Sequence, residues 1–348
     1  MRQAQLSSPS TIEWRESPTP HPQSGEILVR IRAALTCGTD LKTYRRGHPK
    51  MKYGPFGHEA SGDVIAVGPN VRDFKPGDAV MWVQTAPCGE CQRCVSGYEN
   101  LCERLWESAA LGAYADMMML PPHIVRRNVF RKPVGVSYIE AAFLEPLACI
   151  VHGWRVLRRA NAERPMPHNL AIIGAGAIGM MHLLYAVHAR VRTTVIARRG
   201  DRLALAARLG AHETIDARES AKMSGLLTQQ FAAVIECAGS AEAWREAISI
   251  VRPGGRVLLF GGLPSGSEVS IDATRFHYDE LTMLGAFHFT PDDVREARDL
   301  LVAGSLELRA LVSGIAPLGN LKDIFERLDR REGYKYALIP EPAPAEWT

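Results

Sequence analysis

The chain carries almost no excess charge of either sign. Over 348 residues, 41 Lys and Arg stand against 38 Asp and Glu, a formal net charge of +3 at pH 7. So small a bias leaves no electrostatic footprint for nucleic acid or an anionic membrane, and neither partner is expected. The opening residues, MRQAQLSSPSTIEW, contain no apolar core, so a secretory signal is not expected and the cytoplasm is the anticipated compartment. Internal repeats are missing, and low complexity is confined to the short tail PEPAPAE. Long apolar runs are nearly missing too. One run, LAIIGAGAIGMMHLLYAVHA from Leu170 to Ala189, is long enough to raise a membrane span. Three glycines in its first half, with His182 and His188 in its second, fit a strand, a glycine turn and a buried helix better. Cysteine is sparse and odd in number, seven in all, which argues against a fully paired disulfide framework and for thiols in a reducing compartment.

What the chain does contain suits a soluble globular protein: 46% apolar and 23% charged residues, at a length that favours two domains. Its first third reads as short strands broken by Gly and Pro. EILVRIRAALT (Glu26 to Thr36) alternates as a half-buried strand does, and ASGDVIAVGPNV and FKPGDAVMW follow between Pro69-Asn70 and Pro76-Gly77 turns. The expectation is a twisted, barrel-like β domain over residues 1–150. SYIEAAFLEPLACIVHGWRVL has helical spacing, broken or kinked near Pro146. From Leu170 the order becomes strand, helix, strand, helix: LAIIG, MMHLLYAVHAR, TTVIA, DRLALAARLG, FAAVIECAG, AEAWREAISIV, GRVLLFGG. Apolar strands alternating with helices predict an α/β domain with a doubly wound parallel sheet over residues 151–290. After about residue 291 a helical PDDVREARDLLVAG and a loop-rich tail are expected.

GAGAIG places Gly174, Gly176 and Gly179 in G-x-G-x-x-G spacing, with Ala177 and Ile178 opening the helix. The first glycine allows the tight turn, the second lets backbone approach a pyrophosphate, and the third lets helix and strand pack closely. The phosphates then sit at the helix N-terminus. The motif follows a strand and heads repeated β-α units, which is the context a dinucleotide site requires. At the end of the second strand, where an NAD site places a carboxylate, stand Ala197, Arg198 and Arg199; the next acid is Asp201, read as the start or cap of a helix. Arginine forks hold a 2′-phosphate that a carboxylate would repel, so NADP(H) is expected, with solvated loop arginines and NAD as the alternative.

Cys88, Cys91, Cys94 and Cys102 follow C-x2-C-x2-C-x7-C. Four thiolates close a tetrahedral zinc shell and leave no position for substrate, which describes a structural site. Outside this cluster stand Cys37 in TCGTDLK, His58 and Glu59 in GHE, and Glu145 in FLEPLAC. A thiolate, an imidazole and a carboxylate suit zinc with an exchangeable fourth position. Each also has a plainer reading: a small core cysteine, a satisfied turn histidine, a carboxylate at a helix start.

The pieces CGTD, GHEASGDVIAVG, KPGDAV, the cysteine cluster, EPLAC, GAGAIG and VRPGGRVLLFGG, in this order, resemble the zinc-dependent medium-chain dehydrogenase/reductase family over nearly the whole length. The similarity is strongest to its polyol (sorbitol) and threonine dehydrogenase branch. The resemblance implies a GroES-like catalytic domain at 1–150, completed by 291–348, beside a Rossmann domain. It implies catalytic zinc ligands at Cys37 and His58, with Glu59 and Glu145 ligating directly or through water, and two zinc ions per chain. The reaction implied is hydride transfer between a secondary alcohol and NADP, with zinc lowering the alcohol's pKa and Thr39 relaying its proton. Many members of the family carry a histidine five residues after this cysteine; here Lys42 stands there, suiting solvent or cofactor contact better than base catalysis. The basic segment Lys42 to Gly54, with Arg45, Arg46, Lys50 and Lys52, suits either an anionic substrate or plain solvation. Phe287, His288 and Phe289, with Tyr44 and Trp82, are candidates for the cleft or for core. A polyol, sugar, aminocyclitol or amino alcohol fits such a site, and a homodimer or homotetramer is implied. The alternatives are an NAD-dependent threonine- or sorbitol-type dehydrogenase and a non-catalytic zinc- and nucleotide-binding protein.

Overall fold

In the computed structural model, residues 1–47, 53–107, 109–160, 168–219 and 231–340 are described. They fall into two units, Met1–Ala148 with Phe289–Gly304 and Leu308–Thr348, and Cys149–His288 with Ser305–Glu307.

The first unit opens with β1 (Arg2–Ser8), β2 (Thr11–Glu16), β3 (Ile27–Leu35), β4 (Gly54–Pro55), β5 (Glu59–Val67), β6 (Ala79–Trp82), β7 (Met117–Leu120) and β8 (Val129–Arg131). β1 pairs with β2 and β4 in a small antiparallel sheet. β3 carries β5 on one edge and β7 on the other, and β6 and β8 extend the sheet beyond β5. The half-buried alternation expected of β3 does not hold: every residue but Arg30 and Arg32 is buried. One face, with Ile27, Val29, Ile31 and Ala34, lines the core, and the helix Tyr138–Ala141 packs against β3. Tyr44 and Trp82 belong to that core, not to a cleft. The expected break near Pro146 lies earlier. Ser137 and Glu140 form a capping box for Tyr138–Ala141, and a new helix, Leu144–Arg159, starts two residues before Pro146. A proline in a first turn forfeits no helical hydrogen bond, so the helix runs on unbroken.

The second unit holds β9 (Asn169–Ile173), β10 (Arg192–Ala197), β11 (Glu213–Asp216), β12 (Phe231–Glu236), β13 (Val251–Leu259) and β14 (Thr282–Gly285). They form one sheet in the order β11-β10-β9-β12-β13-β14, parallel throughout. Strand order reverses between β9 and β12, and a doubly wound sheet binds ligands in the crevice at the carboxyl ends there. His182, one of two histidines interrupting the apolar run, is fully buried on the helix Ala177–His188. Its ring stands edge-on to Phe260 at 4.7 Å, and burial pushes its pKa down to about 3. Among the described residues no helix is long and apolar enough to cross a membrane.

The tail beyond residue 304 is not loop-rich as expected. Thr290 caps the helix Pro291–Ala303 with a capping box, and Gly304 ends it at φ 59°. Then β15 (Val312–Pro317), a helix Leu321–Asp329 and β16 (Lys335–Ile339) return to the first unit. β16 pairs parallel with β15 and antiparallel with β3. All five residues of β16 are buried, so the segment KYALI shows no alternation by which to recognise a strand. The PEPAPAE tail lies mostly beyond the described residues.

Candidate active site

Antiparallel pairing of β3 and β5 sets Leu35 opposite Glu59, so the end of one strand meets the start of the next. Cys37 leaves β3 as the N-cap of the helix Gly38–Arg46, its sulfur accepting from the Thr39 amide at 3.4 Å. His58 and Glu59 enter β5 beside it. Ligand atoms of Cys37, His58 and Glu59 all lie within 4.8 Å of one another. Bonds of about 2.0–2.3 Å to one zinc ion span such a set with sub-ångström shifts. The donor set, soft sulfur with imidazole and carboxylate, fits zinc.

His58 is buried, and its Nδ1 lies 3.1 Å from Asp40 Oδ1, which leaves Nε2 for a metal. Burial alone would pull the imidazole down; the Asp40 charge, helped by Cys37, outweighs it and holds the ring well above its ordinary pKa. Asp40 is itself 1% exposed and accepts a second hydrogen bond, at 2.8 Å, from the Tyr114 hydroxyl. Glu59 is wholly buried. Lys335 Nζ, on β16, approaches its two oxygens at 2.7 and 2.5 Å and donates also to the Thr36 carbonyl at 3.1 Å. Burial pushes the Glu59 carboxyl up to about 7, against the opposing pull of Lys335. Burial also pulls Lys335 down, yet the Glu59 charge outweighs it.

Glu145 stands in the first turn of Leu144–Arg159, 5% exposed, its Oε1 accepting from Gln84 Nε2 at 2.8 Å. It lies outside the tight trio, though its charge acts on both Glu59 and Lys335. Thr39 and Lys42 are exposed on the helix that Cys37 caps. In the basic segment, Arg45 ion-pairs with Asp329, and Lys50 and Lys52 lie outside the described residues. Asp40, Tyr114, Gln84 and Lys335 escaped the sequence reading. Asp40, three residues past Cys37, faces inward from the same helix turn and was the one with a local signal. Lys335 is 276 residues from its partner and had none.

The four-cysteine loop is local by contrast. A short helix, Gln92–Val95, and the 3-10 turn Glu99–Leu101 fold it back on itself. Sulfur–sulfur distances are 3.9 Å for Cys88–Cys94, 3.5 Å for Cys91–Cys94 and 3.9 Å for Cys91–Cys102. A tetrahedron with zinc–sulfur bonds of about 2.3 Å has edges of about 3.8 Å, so the sulfurs already fit one ion. None of the seven cysteines is in a disulfide. The Glu90 amide, chiefly, pulls Cys88 down to about 6, whereas burial pushes Cys94 up to about 12.

In the second unit the glycine turn follows β9. Gly174 has φ 102°, and a Cβ there would meet the Ala238 amide at 2.9 Å. A Cβ on Gly179 would lie 1.8 Å from the Gly174 carbonyl. Gly176 caps the helix Ala177–His188 without a side-chain bond, and a Cβ on it would meet only Arg202, at 3.6 Å. Two glycines are thus required by packing, while the third, with Ala177 and Ile178, leaves helix amides open to an anion. The ribose end is less free than expected. Arg198 pairs with Glu242 at 2.9 Å and Arg199 with Asp201 at 2.7 Å. Asp201 lies in the first turn of the helix Gly200–Arg208, as expected, and Arg199 occupies its N-cap. Phe287 is 45% exposed and His288 has a left-handed backbone at φ 61°, whereas Phe289 is buried in the first unit.

The architecture and these clusters have counterparts. The alcohol dehydrogenase GroES-like domain matches residues 23–129, and the zinc-binding dehydrogenase domain matches residues 177–303. An alcohol dehydrogenase of Moraxella sp. (strain TAE123) is 32% identical over 328 residues, 91% of this chain and 92% of that protein. The L-galactonate-5-dehydrogenase of Escherichia coli (strain K12) is 28% identical over 92% of each chain. A Sinorhizobium meliloti 1021 protein described as a zinc-binding dehydrogenase, solved bound to NADP, superposes with a TM-score of 0.88 at 29% identity, covering 97% of this chain and 99% of that one. The chain therefore belongs to the zinc-dependent medium-chain alcohol dehydrogenase family.

Proposed function

We propose that this protein interconverts a secondary alcohol and its ketone by hydride exchange with NADP(H), at a zinc held by Cys37, His58 and Glu59. The convergence of those three donors, from two strand ends, carries the reading. Bound there, zinc supplies Lewis acidity toward an alcohol or carbonyl oxygen. The protein's own residues do the rest. Cys37 and His58 hold the ion, and Asp40 fixes the His58 tautomer through Nδ1. Glu59, both oxygens of which Lys335 contacts, would offer the ion its carboxylate, and Glu145, steadied by Gln84, is a carboxylate for a water or a substrate hydroxyl. Thr39, exposed on the first turn after Cys37, carries the proton of the alcohol away. Cys88, Cys91, Cys94 and Cys102 hold a second, structural zinc. Metal analysis of the wild type and Cys37→Ser tests the division: two zinc ions per chain, falling to one with loss of all alcohol oxidation, is the expected result. An unchanged metal content overturns it.

The helix amides at Ala177 and Ile178 receive the pyrophosphate, between Gly174, Gly176 and Gly179. For the 2′-phosphate, the lack of a carboxylate at Ala197 and the NADP-bound relative support Arg198 and Arg199 as its ligands. NAD is the second reading, because both arginines already have acidic partners. Those pairs are exposed and worth about 0–1 kcal/mol each, so a dianionic phosphate displaces them readily. Comparing KM for both cofactors in wild type and Arg198→Asp decides it: NADP preference should fall at least tenfold, and an undiminished preference removes Arg198 from the site. The relatives' alcohols support a hydroxylated substrate, a polyol, sugar, aminocyclitol or amino alcohol, which a reduction-coupled screen with both cofactors identifies.

A further inference from the structure

We propose that Tyr114 is a positioning residue for the Cys37–His58 metal site, acting through Asp40; the proposal rests on the reading of that site just given. Three backbone segments must keep register for Cys37 and His58 to face one ion, and the Tyr114 side chain touches all of them. Its ring lies on Gly57, the residue before His58. A Cβ added at Gly57 would come within 2.8 Å of the ring carbons, and Gly57 has φ 89°, so glycine alone admits the ring. The amides of Gly112 and Ala113 donate to the Gly57 carbonyl at 3.0 and 3.1 Å, fastening the tyrosine segment to the His58 turn. The Tyr114 hydroxyl lies 3.2 Å from the carbonyl of Leu35, at the end of the strand that leads to Cys37. Its shorter bond, 2.8 Å, goes to Asp40 Oδ2, on the helix that Cys37 caps.

Asp40 is therefore held from two sides, Oδ1 by His58 Nδ1 and Oδ2 by Tyr114. A carboxylate 1% exposed has little water to turn to, so a missing donor is not replaced for nothing. With the hydroxyl removed, Asp40 rotates toward whatever donor remains, and the ring it orients rotates with it. The aim of His58 Nε2 is thereby set by a hydroxyl that touches neither metal nor substrate. A group in Asp40's place, bonded directly to a metal ligand, typically changes metal affinity about 10- to 100-fold, and the hydroxyl acts through it.

Tyr114→Phe tests this, since it keeps the ring against Gly57, Phe56 and Phe325 and removes one oxygen. The readouts are the rate at which zinc leaves the Cys37 site to a chelator and the visible absorption of that site loaded with cobalt. Expected are a zinc loss at least tenfold faster and an altered cobalt spectrum, with the four-cysteine zinc unchanged and the melting temperature lowered by no more than a few degrees. Asp40→Asn should do the same, and the double variant should be no worse than Asp40→Asn alone. Phe56→Leu, which disturbs the packing of the ring but not its hydroxyl, should lower melting temperature and leave zinc retention as in wild type. Wild-type retention in Tyr114→Phe overturns the proposal. So does full additivity with Asp40→Asn, or faster zinc loss in Phe56→Leu. If Cys37→Ser leaves the metal content of the wild type unchanged, the reading of the site itself falls and Tyr114 loses its role with it; if Cys37→Ser removes one ion and Tyr114→Phe does nothing, only the tyrosine's role falls.

Discussion

The two sulfur-bearing sites of the first unit are built in opposite ways. The four-cysteine loop gathers its donors within 15 residues, leaves Cys88 and Cys91 half-buried, and offers sulfur alone. The other site takes Cys37 from a strand end, His58 and Glu59 from the start of another strand, and wraps them in buried polar groups: Asp40, Tyr114, Lys335 and Gln84. A closed shell needs no more than its own ligands. A site that must keep one position free holds unsatisfied charge in a dry place, so it needs supporting groups to fix it, and those come from wherever the chain happens to return.

The broadest test of this contrast exchanges a serine for one cysteine in each site. Cys37→Ser should lower turnover by about a thousandfold or more while the melting temperature hardly moves. Cys88→Ser should cost several kcal/mol of folding stability or leave the protein insoluble, with turnover retained by whatever fraction folds. Losses distributed the other way round defeat the comparison.

Next in size is the Lys335–Glu59 pair. Removing the lysine leaves the wholly buried Glu59 carboxyl and the Thr36 carbonyl without their donor, so Lys335→Met should destabilise the first unit by about 1–3 kcal/mol in urea titrations. Adding Glu59→Gln should restore most of that stability without restoring activity. An exposed pair would not behave so, and a loss below about 1 kcal/mol would show that the lysine is dispensable.

The loop should show its own signature in pH. Without metal, Cys94, pushed up to about 12, and Cys102, also raised by burial, carry protons at neutral pH, while Cys88, at about 6, largely does not. Zinc must expel those protons, so its affinity for the stripped loop rises with pH between about 6 and 9, by about ten- to a hundredfold per unit, and falls on acidification. Calorimetry in two buffers counts the protons released; a pH-independent affinity contradicts the assignment. The smallest effect concerns the Arg104–Glu90 ion pair at the loop's rim, whose side chains are 46% and 70% exposed. Glu90→Gln should change zinc retention less than about threefold, because screened surface pairs contribute little.

What could be read ahead of the structure follows the same division. The strand, glycine turn and helix from Asn169 to His188 are contiguous, so each signal reports its neighbour; the helical spacing of PDDVREARDLLVAG likewise marks the helix Pro291–Ala303. Cys37, His58 and Glu59 could be singled out as residue types, but not as neighbours: only the register of β3 on β5 brings them together. β16 went unrecognised because burial on both faces erased its alternation, and Lys335 was hidden along with it. Arg198 and Arg199 were legible as arginines, but their acidic partners Glu242 and Asp201 were not.

By itself the sequence determined the strand-rich first unit, the alternating strands and helices of the second, the glycine turn and the four-cysteine loop, because the forces that shape each act over a few residues: dihedral freedom, hydrophobic period, ligand spacing. The tertiary structure alone decided which carboxylate meets Lys335, which oxygen of Asp40 faces His58, and that Tyr114 closes the set. Those are contacts of burial and charge between segments 18 to 276 residues apart, and such contacts exist only once the intervening chain has packed.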